Sequence, residues 1–258
     1  MSGVRRVVTG VCLAGVACLL VAGCGRQEEK ISVWCAAGMK PPIQALADEF
    51  EETQELPVEV TYDGANRLLD QIEVLERGDV YIAGGADYVD MAADKGLVGA
   101  RRTICYLVPV IMVGKGNPKG ITSLADLAGE GMRIGQGDPE SAAIGRLTPK
   151  LLELNGIDRA AWQKNVAIET ATVNELGVHV RLNDLAAAVV WKCIAKKYEE
   201  DCEIVEIPPE KNICPAVGGA VLTFSDLPQQ SEAFLDYLTS KRGEQVLTEY
   251  GYTVEKPR

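Results

Sequence analysis

The feature that most constrains this chain is an alternation. From Ile31 onward, short β-branched apolar runs alternate with windows whose apolar residues recur at helical spacing. Ile31-Ser-Val-Trp-Cys-Ala36 reads as a strand, followed by Ala37-Gly38 and a helix carrying Ile43, Leu46, Ala47 and Phe50. Pro41 and Pro42 are tolerated in its first turn, where the missing N–H has no partner in any case. Val58–Tyr62 is a second strand, and Asp63-Gly-Ala-Asn66 leads into a helix with Leu68, Leu69, Ile72 and Leu75. Asp79–Ala83 is a third strand, and Met91–Leu97 a short helix stopping near Gly96.

The second half repeats the grammar. Thr103–Val113 is one long extended run in which Pro109 predicts an edge or a bend. Ser123-Leu-Ala-Asp126 has capping-box spacing. Met132–Gly135 is a strand, and the loop Gly137–Ser141 leads into a helix stopped by Asn155-Gly156. Thr172-Val-Asn-Glu175 is a second capping box. Ala186–Trp191, Glu203–Ile207 and Val217–Phe224 are strands, and Ser231–Tyr250 is a final amphipathic helix broken near Gly243. The pattern is α/β with mostly parallel strands, and 258 residues are enough for two lobes with separate cores.

Composition removes several function classes. Hydrophobic residues at 47 % and charged residues at 24 % describe a globular chain. The net charge of −11 is the wrong sign for displacing counterions from nucleic acid, so no nucleic-acid partner is expected. One histidine, His179, excludes a multi-histidine metal centre, and no two cysteines have the Cys-x-x-Cys spacing of a zinc site. Hence no metal site and no cofactor are expected. There is no Ser/His/Asp grouping and no phosphate-binding Gly-Lys loop; Cys35 with His179 is the one nucleophile–base pair on offer. The chain reads as a non-enzyme.

The first 23 residues read as an address. Arg5 and Arg6 precede an uncharged run, Val7–Ala22, of signal-peptide length rather than spanning length. The run ends in Leu20-Val-Ala-Gly-Cys24, which resembles a lipobox, with Cys24 as the lipidated residue and residues 24–30 as a tether. This predicts a lipid-anchored protein in the periplasm or on the outer face of the cell membrane. Export would leave Cys35, Cys105, Cys193, Cys202 and Cys214 where disulfides can form; Cys193–Cys202, which bracket a predicted helix, are a candidate pair, and buried thiols are the alternative.

Open parallel sheets bind ligands beyond the carboxyl ends of their strands. Ala37-Gly38, Gly64–Asn66, Asp138–Ile144 and Ala171–Val173 are such junctions, each placing helix N-terminal amides where an anion is favoured. Every α/β protein has such junctions, so they do not alone define a site.

Longer stretches carry a resemblance. Val33-Trp-Cys-Ala-Ala-Gly38, Leu68-Leu-Asp-Gln-Ile72, Gly78-Asp-Val-Tyr-Ile82, Asp90–Leu97, Gly137-Asp-Pro-Glu140 with Gly145, and Leu247-Thr-Glu-Tyr-Gly-Tyr252 resemble, in order, the periplasmic molybdate-binding proteins of ABC importers. The resemblance implies a two-lobed periplasmic-binding-protein fold of type II with a ligand cleft between the lobes. Residues 31–106 would form the first part of lobe 1, 107–217 lobe 2, and 218–258 the return to lobe 1. The crossings would be Thr103–Leu107 and Pro215–Ala220, which would make Cys105 and Cys214 neighbours and a second candidate pair. It also implies a monomer, a membrane permease as partner, and molybdate or tungstate as cargo.

The family's ligand hydroxyls are missing. Gly38, beside Met39, stands at the first serine position, Ala65 at the second, and Trp191 at the tyrosine position; Ile144 and Val173 keep only their backbone amides. Asn66, Ser141 and the indole of Trp191 are candidate replacements, and Lys40 and Arg67 could add charge. Asp138 or Glu140 could serve as a carboxylate ligand, though no spacing requires it. His179 and Cys35 read better as structural groups. The expected function is capture of molybdate, tungstate or a similar small oxyanion for import. The alternative is a receptor for a different small anion feeding a sensor or chemoreceptor.

Overall fold

The computed structural model describes residues 29–257. The signal segment, Cys24 and most of the tether lie outside them. The chain forms two five-stranded sheets. In the first, β1 (Ile31–Ala36), β2 (Val58–Asp63), β3 (Val80–Ala83), β4 (Val98–Tyr106) and β10 (Ala216–Leu222) lie in the order β2-β1-β3-β10-β4. In the second, β5 (Pro109–Gly114), β6 (Ile134–Gly137), β7 (Val166–Thr170), β8 (Ala187–Trp191) and β9 (Cys202–Glu206) lie in the order β7-β6-β8-β5-β9. Helices pack on both sheets, so the fold is the expected two-lobed α/β arrangement.

The strands are mixed rather than mostly parallel. β1 pairs parallel with β2 and β3, and β6 with β7 and β8, but β10 and β5 run antiparallel to both of their neighbours. The cause is the route of the chain. It leaves the first sheet from β4 and returns through β10, so each sheet holds one strand entered from the opposite lobe.

The run Thr103–Val113 is therefore two strands in two sheets, divided at Leu107-Val108. Pro109 opens β5, a buried interior strand, so it marks the bend and not an edge. At the start of a strand, its missing N–H costs no ladder bond. The two crossings run side by side: the Leu107 N–H donates to the Pro215 carbonyl at 2.9 Å, and Asn212 Nδ2 to the Pro109 carbonyl at 2.9 Å.

Other boundaries moved. The third helix, α3, spans Ala86–Asp94, earlier than the predicted Met91–Leu97, because β3 ends at Ala83, Gly85 caps the helix start, and Gly96, at φ +72°, follows the stop. β6 starts two residues later than predicted. The C-terminal helix is two helices, α9 (Pro228–Leu238) and α10 (Lys241–Glu249). They break at Thr239-Ser240, ahead of Gly243, where the Ser240 hydroxyl accepts from the Gly243 N–H at 3.2 Å. Neither α6 (Arg159–Asn165) nor β7 stands out in the sequence. Their pattern is half exposed, and the Asp158 cap, accepting from Ala161 N at 2.8 Å, was the available signal.

Buried residues from both lobes join in one large cluster rather than the separate lobe cores expected, including Ile43, Leu46 and Phe50 beneath the first sheet and Val110–Val113 in the second, while a smaller cluster around Trp34, Leu68, Ile72 and Tyr81 lies within the first lobe. All five described cysteines are free thiols, four of them buried, so neither candidate disulfide forms. They pack as small hydrophobes.

Candidate functional site

The carboxyl ends of the parallel strands of both sheets carry the helix starts that face the cleft. On the first lobe, β1 ends at Ala36 and leads through Ala37-Gly38-Met39 into α1 (Lys40–Gln54). β2 leads through Gly64 into α2 (Ala65–Leu75). On the second, β6 leads into α5 (Ala143–Leu154) and β7 into α7 (Val173–Arg181).

Hydrogen bonding shows which amides remain outside the helical ladders. The first ladder bond of α2 is Leu68 N to Gly64 O at 3.0 Å, and that of α5 is Arg146 N to Ala142 O at 3.1 Å. The amides of Ala65, Asn66 and Arg67, and of Ala143, Ile144 and Gly145, therefore lack the i−4 carbonyl that satisfies later turns. In α7 the Thr172 hydroxyl accepts from Glu175 N at 3.5 Å, leaving Val173 in the same position. Thr172–Glu175 thus supplies the hydroxyl half of a cap.

The third loop is built around two glycines. A Cβ on Gly145 would lie 2.3 Å from the Gly137 carbonyl oxygen and 2.5 Å from that of Asp138. A Cβ on Gly137 would lie 2.7 Å from Ile144 Cγ2. Only glycine at both positions lets α5 start directly against the end of β6. Asp138 Oδ1 accepts from Glu140 N at 2.6 Å and Ser141 N at 3.1 Å, which closes the turn and holds the Asp138 carboxyl below the ordinary carboxylate range. That oxygen is committed to the turn, so Asp138 is placed as a loop former rather than a ligand. The Asp138 N–H donates to Thr170 O at 2.8 Å, tying the third loop to the fourth.

The remaining candidate residues sort by exposure. Gly38 is exposed, and beyond its Cα a Cβ would meet nothing within 4 Å. Its carbonyl accepts from the Tyr252 hydroxyl, so the C-terminal segment holds the first loop. The motif Leu247–Tyr252 gave no hint of that contact. Met39 is 1 % exposed and its side chain belongs to the core, so only its backbone reaches the loop. Ile144 is likewise buried, while Ala65 and Val173 are half-buried and Asn66 and Ser141 exposed. The Asn66 side-chain oxygen turns back over Gly64, 3.1 Å from where a Cβ there would stand.

Trp191 ends β8, opposite Pro109 at the crossing, and is 6 % exposed. Among the described residues no protein acceptor meets its indole N–H, and that nitrogen is not among the buried unpartnered atoms. It therefore keeps a solvent-facing donor.

Other candidates find partners elsewhere. Arg67 pairs with Asp63 at 3.4 Å, and Lys40 lies 5.3 Å from the centre of the Tyr62 ring. His179 Nδ1 is 3.2 Å from Asp184 Oδ2 on the second lobe. Cys35 is fully buried in β1 of the first lobe, and burial drives its thiol pKa far up, away from a nucleophilic thiolate. Among the described residues no three His, Cys, Asp or Glu side chains are grouped to hold a metal ion. A cavity of about 700 Å³ opens at the opposite end of the first sheet, lined by Ser32, Trp34, Asp79 and Phe224 with Glu59 and Glu76. Its carboxylates would repel an anion, and it lies away from the strand ends that build the cleft.

Residues 31–253 match the bacterial extracellular solute-binding proteins, and the chain belongs to that family. A Haemophilus influenzae protein named only as a binding protein is 28 % identical, over 95 % of this chain and 99 % of its own length. The molybdate-binding protein ModA of Escherichia coli is 25 % identical, over 88 % of this chain and 90 % of its own. Among solved structures, a substrate-binding domain assigned to a molybdenum ABC transporter of Clostridium difficile superposes with a TM-score of 0.76 at 16 % identity, covering 88 % of this chain and 99 % of that one. The chain is thus a bacterial extracellular solute-binding protein, a member of a family of substrate-binding proteins. Family membership implies a location outside the cytoplasmic membrane, and no described helix is long and apolar enough to cross one.

Proposed function

We propose that this protein captures a small oxyanion between its lobes and delivers it to an ABC import permease, with molybdate or tungstate as the first cargo. The observation that carries the reading is the set of off-ladder amides on both lobes: Ala65 and Asn66 on one, Ile144 and Val173 on the other. Amides preorganised at helix starts bind anions despite a net charge of −11, because the local dipoles act at close range and the net charge is spread and screened. ModA relatives support the choice of cargo. Gly38, Met39, Ala65, Asn66, Ser141, Ile144, Val173 and Trp191 are the proposed contacts, with Met39, Ile144 and Val173 contributing amides only. Residues 31–106 and 218–257 would move as one body against 107–217, about the paired crossings. Lipid attachment at Cys24 would keep the monomeric receptor beside its permease, with the cargo carried and no cofactor needed.

A second reading keeps the cleft but changes the cargo to a different anion, with output to a transporter or a sensor. Gly38 favours it, since it leaves open space where a hydroxyl would grip a bare tetrahedral ion.

Calorimetric titration of ligand-free protein with molybdate, tungstate, sulfate and phosphate tests both. Submicromolar binding of molybdate or tungstate establishes the first. Folded protein that takes up neither metal oxyanion rejects it and leaves the second.

A further inference from the structure

One side-chain contact joins the helix starts of the two lobes across the cleft. Arg146 Nη2, in the first turn of α5, donates to the Tyr88 hydroxyl, in the first turn of α3, at 3.1 Å. The guanidinium carbon lies 6.0 Å from the centre of the Tyr88 ring. Ala143 and Arg146 are three residues apart and both exposed, so they share the open face of α5, one residue either side of the Ile144-Gly145 pair.

The charge on Arg146 is unusual for this chain. Six of the nine described arginines pair with a carboxylate at 3.8 Å or less. Arg146 instead meets a neutral phenol, which engages one of five N–H donors and none of the charge. It also sits at the positive end of α5, where a cation is disfavoured unless an anion joins it. A planar guanidinium fixed by a ring at its edge is suited to gripping a carboxylate or phosphate with two parallel hydrogen bonds.

We propose that Arg146, held by Tyr88, is the specificity-determining residue of the cleft and pairs with a second acidic group on the cargo. The cargo class is then a small organic acid with two acidic groups, one on the loop amides and one on Arg146. The inference rests on the anion reading of the cleft and chooses between its two cargoes. Gly38 supplies room that a bare oxyanion would not need.

The test is calorimetric titration of the purified full chain with phosphate, molybdate and 3-phosphoglycerate, on wild type, Arg146→Gln, Arg146→Lys and Tyr88→Phe. Wild type should bind 3-phosphoglycerate at least tenfold more tightly than phosphate. Arg146→Gln should erase most of that preference, Arg146→Lys should retain part of it, and Tyr88→Phe should lie between wild type and Arg146→Gln. Arg146 is exposed, so the variants should keep the wild-type melting midpoint; the lysine variant carries the comparison should the glutamine variant unfold. No preference in wild type, or one that survives in Arg146→Gln, overturns the inference while any anion binding leaves the cleft reading intact. Failure of all three anions to bind wild type overturns both.

Discussion

Single residues decide whether the third loop and the first can hold a ligand. Gly145 is the sharpest case, since a methyl there meets two carbonyl oxygens that belong to the backbone and cannot swing away. Gly145→Ala should cost about 1–3 kcal/mol of stability, read as a lower urea midpoint, and should weaken anion binding by moving the Ile144 amide. Trp191→Phe keeps the ring packing and removes one donor. If the indole faces the anion, affinity should fall about tenfold, as expected for a charge-assisted hydrogen bond, while the urea midpoint stays close to wild type. Asp138 makes a pH prediction. Its folded-state pKa is lowered by the Glu140 and Ser141 amides, so its contribution is present above its unfolded value of about 4 and is lost as pH falls through the lowered folded value. Asp138→Asn should therefore lower stability at pH 7, and its stability curve should converge on that of wild type as pH falls below the ordinary carboxylate range.

Elements show what was legible in the sequence. Strands carrying β-branched residues, such as β1, β3 and β8, stand out because burial on both faces selects continuous apolar runs. The joints were harder. A run that is apolar from Ile104 to Val113 carries no mark of a change of sheet except Pro109, and proline alone does not tell a bend from an edge. In β7 only Thr170 is buried, so its alternation was faint. The site was half legible. Loop glycines and helix starts can be read from spacing, whereas the Tyr252 contact to Gly38 spans 214 residues and the Tyr88–Arg146 contact 58, distances that no local pattern encodes. The first of these contacts is testable: Tyr252→Phe should loosen the first loop at a cost of about 1 kcal/mol, read as faster hydrogen exchange at Gly38 and Met39.

Across the whole molecule, the lobes are joined where β4 meets β10 and where β5 and β9 begin and end. Closure of the lobes on a ligand, as proposed, would bend the chain at these two adjacent crossings. Ligand binding that bridges the lobes should shrink the radius of gyration in small-angle scattering, with no change in circular dichroism. The thiols make a separate prediction. Burial raises the pKa of Cys193 to about 11, and those of Cys35, Cys105, Cys202 and Cys214 also rise. All five should resist a disulfide reagent at pH 8 in native protein, with half-buried Cys214 reacting first, and react fully once unfolded.

The position of β10 has a consequence for how the molecule is made. It is the penultimate strand of the first sheet, between β3 and β4, yet it is the last strand in the sequence. Until residues 216–222 have emerged, β3 and β4 present bare edges to whatever lies nearby, while every strand of the second sheet is already at hand. The second lobe is therefore the part able to complete itself during synthesis or export, and the first must wait for a pairing that closes over more than a hundred intervening residues, a slow step by its topology. A chain held open for translocation thus has a built-in delay, and a truncation before Ala216 should yield an aggregating first lobe beside an intact second one.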